Sequence, residues 1–109
     1  MTGEYIINTY GEKTILRGEM RLKSPVSYEK HLQPVKDSLN EGDHTLDVTE
    51  LEFLNSSGVS AIARLCLLAR DRKNVLTIIM NKNIPWQEKT FQSLLELTRH
   101  STHFKVEEG

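Results

Sequence analysis

EFLNSSGVSAIARLCLLAR, residues 52 to 70, joins two patterns at one corner. Phe53 and Leu54 close a short apolar run. From Val59 onward apolar residues return at helical spacing, with Val59, Ile62, Ala63, Cys66 and Ala69 as the expected core stripe. Asn55-Ser56-Ser57-Gly58 stands between them. A strand feeding directly into a helix is the unit of α/β architecture. The corner carries two hydroxyls where a helix start needs one. A serine cap, typically worth about 1 kcal/mol, accepts from a backbone N–H of the first turn. Ser57 is placed to be that cap, which leaves Ser56 to face solvent. Gly58 lacks a side chain, so a partner's backbone can approach closely.

The same alternation runs outward in both directions. EYIINTY and KTILRGEM, separated near Gly11, read as an opening β-hairpin. SPVSYEKHLQPVKDSLNEGD follows as a helix, with Tyr28, Leu32, Val35 and Leu39 on its apolar face. Pro34 removes a helical donor inside it and predicts a kink or a late start. HTLDVTEL is a short strand with Leu46 and Val48 on one face. NVLTIIM is nearly continuously apolar, the pattern of a strand buried on both faces. Pro85 suits the first turn of another helix, whose apolar face holds Phe91, Leu94, Leu95 and Thr98. HFKVEE reads as a last edge strand. The order β-β-α-β-α-β-α-β predicts a mixed, mostly parallel sheet with helices packed against it.

At 109 residues the chain fits one domain, residues 1–109, without room for two cores. Its net charge of −1 argues against nucleic acid as the main partner, because phosphate binding needs a basic field. No apolar run approaches the roughly 20 residues of a membrane span. No basic-then-apolar leader opens the sequence, so a cytoplasmic setting is expected. Cys66 is the only cysteine, which excludes an internal disulfide and reads as a small core residue.

The corner and the element order resemble the STAS domain of bacterial anti-sigma factor antagonists. Phe53-Leu54-Asn55-Ser56-Ser57-Gly58 is similar to the family's strand end followed by Asp-Ser-Ser-Gly or Asp-Ser-Thr-Gly. ILRGEM, residues 15 to 20, looks like its Gly-Glu second strand. The resemblance implies a STAS fold and a non-enzymatic, partner-switching protein; a monomer without a cofactor is expected. It implies phosphorylation at Ser56 by a serine kinase or anti-sigma-like regulator, with removal by a metal-dependent serine phosphatase. Val59, Ser60 and Arg64 are the implied partner contacts. Asn55 departs from the family's aspartate, keeping its shape and acceptor oxygen but losing its charge. A branch of the family regulates exopolysaccharide and biofilm formation. The alternatives are a constitutive STAS subunit of a lipid-transport ABC complex and a nucleotide-binding sensor module.

Other features carry less. Glu96, His100 and His103 have loose metal-site spacing but read as a solvated helix end, so no metal site is expected. Ser56 lacks the Gly-x-Ser-x-Gly elbow, and no phosphate-cradling glycine loop occurs, so no catalytic residue is assigned. Arg64, Arg70, Arg72 and Lys73 lie beside Leu65 and Leu68, which fall off the core stripe. That combination reads as part of a docking surface.

Overall fold

The structure is a computed structural model that describes residues 4–99 and 101–109. Strands β1 (Tyr5–Tyr10) and β2 (Lys13–Met20) form the opening hairpin, turned by Gly11 at φ +59. That positive φ is what a two-residue hairpin turn needs at its first position. Helices α1 (Pro25–His31) and α2 (Gln33–Glu41) lead to β3 (His44–Leu54). Then come α3 (Ser56–Arg72), β4 (Leu76–Met80), α4 (Pro85–Leu97) and β5 (Phe104–Glu108). Pro34 breaks the expected single helix as its missing donor requires. It sits in the first turn of α2, and Leu32 closes α1.

The five strands lie in the order β1-β2-β3-β4-β5, antiparallel in the first pair and parallel in the rest. Each crossover therefore steps one strand in the same direction. Right-handed crossovers taken in one direction place every helix on one face of the sheet. Burial follows: Leu46 and Val48 on β3 and Leu76, Ile78 and Met80 on β4 are inside, joined by Leu39, Ile62, Phe91 and Leu94 from the helices. The alternate residues Thr45, Asp47, Thr77 and Ile79 are only half-buried. The apolar run in β4 is thus not a strand covered on both sides. Ile79 shelters among its sheet neighbours on a face that carries no helix. The stripe of α3 also shifts from expectation. Gly58, Ala61, Ile62, Leu65, Cys66 and Ala69 are buried, while Val59 and Ala63 pack at the margin. Leu65 is core, and the exposed apolar residue of this helix is Leu67.

The pairing of β3 with β4 runs from His44↔Leu76 to Asp47↔Ile79 and goes no further. Beyond it, β3 leaves its neighbour and would strand its carbonyls. Side chains from the β4–α4 corner take them instead. Gln87 Nε2 donates to the carbonyls of Val48 (2.7 Å) and Leu51 (3.0 Å), and its Oε1 accepts from Asn81 N–H (2.9 Å). Trp86 Nε1 donates to Leu51 O at 3.2 Å, and its ring packs against Phe91. Gln87 is fully buried and completely satisfied, as a buried amide must be. These groups let β3, still paired with β2 on its other side, run past β4 to the corner at Asn55.

His44 locks the other end of β3. Its Nε2 meets Thr14 Oγ1 on β2 at 2.8 Å, and its Nδ1 meets Ser38 Oγ on α2 at 2.8 Å. Thr14 continues the chain to Thr9 Oγ1 at 2.9 Å. Burial lowers the His44 pKa, partly opposed by the Glu12 carboxylate. Because the folded value lies below the unfolded one, the folded state binds fewer protons between them. Stability is then full above the ordinary histidine value and falls as pH drops through the folded one. Urea midpoints measured from neutral pH to mildly acid pH should fall for the parent. For His44→Gln that part of the slope should vanish.

Candidate functional site

The strand β3 ends at Leu54, and Asn55 takes φ −80, ψ 175 before α3 begins. Its side chain is the hub of the corner. Asn55 Oδ1 accepts from Gly58 N–H at 3.1 Å and from the Tyr28 hydroxyl at 2.7 Å. Asn55 Nδ2 donates to Leu22 O at 2.9 Å, and the Leu22 N–H donates to the Tyr28 hydroxyl at 3.2 Å. These contacts close a ring through Leu22, Tyr28 and Asn55. Ring closure fixes the amide orientation, because the Leu22 carbonyl can only accept. Burial raises the Tyr28 pKa, so the phenol keeps the proton it donates to Asn55.

The helix cap is therefore Asn55, not Ser57. Asparagine is among the strongest capping residues, and two residues before Ser57 is where the backbone leaves the strand. Ser57 is half-buried, with a long 3.5 Å contact from its hydroxyl to Lys23 O. Ser56 opens the first turn of α3 and is exposed, with no side-chain hydrogen bond to another described residue. Gly58 also differs from expectation. It is buried, and a Cβ there would come within 2.9 Å of Tyr28 Cζ and closer still to the Leu54 side chain. Its missing side chain admits the packing of α3 onto α1 and β3, rather than a partner's approach.

Of the expected partner residues, Ser60 and Arg64 are exposed and Val59 is half-buried against the core. With Ser56, Leu67 and Asp71, the exposed Ser60 and Arg64 mark one solvent-facing stripe, spaced by three or four residues as a helix requires. Arg64 Nη1 pairs with Glu29 Oε2 of α1 at 2.7 Å, and Lys36 of α2 reaches the same carboxylate at 3.5 Å. Between these helices runs a groove of about 250 Å³ whose lining includes Leu32, Leu65, Leu67 and Leu68. Sequence reading placed the apolar element of this surface at Leu65 and Leu68. The stripe starting from Ser56, taken in steps of three or four, leads to Leu67 instead.

The remaining candidates do not converge on the corner. His103 Nδ1 meets Asn74 O at 2.9 Å, beside the start of β4, and His44 is locked between β2 and α2. His100 lies outside the described residues. Among the described residues no group of three or more His, Cys, Asp or Glu is placed to hold a metal ion. The Cys66 thiol is buried and pushed up to about 12, so it is protonated and unreactive at neutral pH. Among the described residues no helix is long and apolar enough to cross a membrane. No protein-family model matches the chain, and no curated protein matches it either.

The ring makes Asn55 more than a neutral copy of aspartate. A carboxylate would keep the acceptor for Gly58 and Tyr28 but would set an oxygen against Leu22 O. Asn55→Asp should lower stability by about 1–2 kcal/mol, and Tyr28→Phe by a similar amount through the orphaned Leu22 N–H. Chemical denaturation of both single variants and the double variant should show clear non-additivity, because the two residues share one ring.

Proposed function

We propose that this chain is a non-enzymatic, protein-binding switch of the STAS type, controlled by phosphate on Ser56. The observation that carries this reading is the division of labour at the corner: Asn55 caps α3, and Ser56 is left exposed beside it. The order of strands, with one antiparallel hairpin followed by three parallel steps, fits the same family. A phosphate would add about −1.5 to −2 charges. At the N-terminal turn of α3 the helix dipole favours such an anion, so the fold accommodates it. A partner seated on Ser56, Ser60 and Arg64 would meet that charge directly.

The partner in this reading is a serine kinase or anti-sigma-like regulator in the cytoplasm, reset by a metal-dependent serine phosphatase. Arg64 remains available to it. Its pair with Glu29 is more than half exposed on the arginine side, and surface pairs contribute only about 0–1 kcal/mol. A partner carboxylate can therefore compete for the guanidinium.

Ser56→Ala should keep the parent's melting temperature and lose phosphate incorporation when the chain is incubated with its kinase. Ser56→Asp should fold equally well and bind the partner about tenfold or more weakly, a loss of at least ~1.4 kcal/mol in titration calorimetry. Phosphate found by mass spectrometry on Ser57 alone would overturn the assignment. Undiminished binding by Ser56→Asp would favour a constitutive subunit of a transport complex instead.

A further inference from the structure

The two edges of the sheet differ in a way the corner does not explain. An edge strand exposes a row of unpaired backbone groups, and proteins commonly guard it with charge. The β5 edge follows this pattern with Lys105, Glu107 and Glu108. The β1 edge, Tyr5 to Tyr10, contains no charged residue. It also carries two of the largest exposed apolar side chains, Ile6 at 53% and Tyr10 at 64%.

The hydrogen-bond phase of β1 is fixed by its hairpin. Glu19 N–H donates to Glu4 O at 2.9 Å, and Tyr10 pairs with Lys13 across the two-residue turn. Antiparallel bonding alternates, so Ile6 and Asn8 also face β2 with their backbone groups. The N–H and C=O groups of Tyr5, Ile7 and Thr9 therefore point away from the sheet. Buried or not, they form a ladder half without its partner among the described residues.

We propose that β1 pairs with β1 of a second copy of this chain, antiparallel about a two-fold axis at Ile7, joining two five-stranded sheets into one. In this register Tyr5 opposes Thr9 of the second copy, and Ile7 opposes its own equivalent. All three outward residues then complete their backbone bonds in both copies. A register centred on Asn8 would leave Tyr5 against the Gly11 turn and bring Glu4 towards Glu12, and one centred on Ile6 would leave Thr9 without an outward partner in β1. Between the bonded pairs, Ile6 stands opposite Asn8, with Tyr10 of the second copy as its diagonal neighbour. Diagonal positions lie within reach of an aromatic ring, so the exposed Ile6 and Tyr10 side chains gather into one patch on the helix-free face. Because β1 is uncharged, no like charges meet at the axis. A closed two-fold contact of this kind uses the same surface from both copies and stops at two.

Light scattering across a concentration series from micromolar to millimolar tests this. The parent should rise from 12.5 kDa towards twice that mass. The double variant Ile6→Glu, Asn8→Glu sets two carboxylates opposite each other twice per pair, and should stay at the single-chain mass with an unchanged melt. The matching variant Ile6→Lys, Asn8→Lys should also stay single alone. Mixing the two should restore the doubled mass, which a folding defect would not do. A parent that stays at 12.5 kDa throughout, or a glutamate variant that associates like the parent, would overturn the proposal.

Discussion

The ring through Leu22, Tyr28 and Asn55 is the constraint on which the corner depends. Three separate segments meet in it: the loop after β2, the buried tyrosine of α1, and the junction of β3 with α3. The polar groups there are partly shielded from water and need partners, and each finds one within the ring. Gly58 lets the helix settle close enough for the ring to close, because any Cβ would strike Leu54 and Tyr28. The capping oxygen is then supplied by a residue already fixed from two sides. Ser56 inherits no structural duty, and this is the physical basis for reading it as a place where charge can be added.

The rest of the fold delivers β3 to that point. At one end His44 ties the strand to β2 and α2, and at the other Gln87, Trp86 and Asn81 substitute for the missing β4 ladder. A strand of eleven residues can therefore outrun a neighbour of five without stranding its carbonyls. The single direction of the crossovers puts the helices together on one face. The α1–α3 groove and the Ser56 stripe consequently share one side of the molecule, and the exposed Ile6 and Tyr10 of β1 lie on the helix-free face.

Much of this was legible in the sequence. The strand–helix alternation, the opening hairpin and the break at Pro34 follow from apolar period, glycine and the proline donor. The position of the corner was equally plain, because apolar period changes there from strand to helix. What failed did so for identifiable reasons. Asn55 and Ser57 are both good caps by chemistry, and only the path of the backbone after Leu54 selects between them. Gly58 looks like open space because sequence does not reveal that Tyr28, thirty positions away, fills it. The run in β4 looked covered on both faces because Ile79 is as apolar as Ile78, although their burial differs. Gln87 gave no signal at all: a glutamine in a helix is ordinary until strand carbonyls lie opposite it.

The claim that Asn55 carries the cap and frees Ser56 is tested most directly by hydrogen exchange at the Gly58 amide, followed residue by residue in Ser56→Ala, Ser57→Ala and Asn55→Ala. Gly58 should keep its protection in both serine variants and lose part of it, together with Leu22, when Asn55 is shortened, because its N–H bond to the Asn55 carbonyl remains. Loss of Gly58 protection in Ser56→Ala or Ser57→Ala, with protection retained in Asn55→Ala, would contradict it.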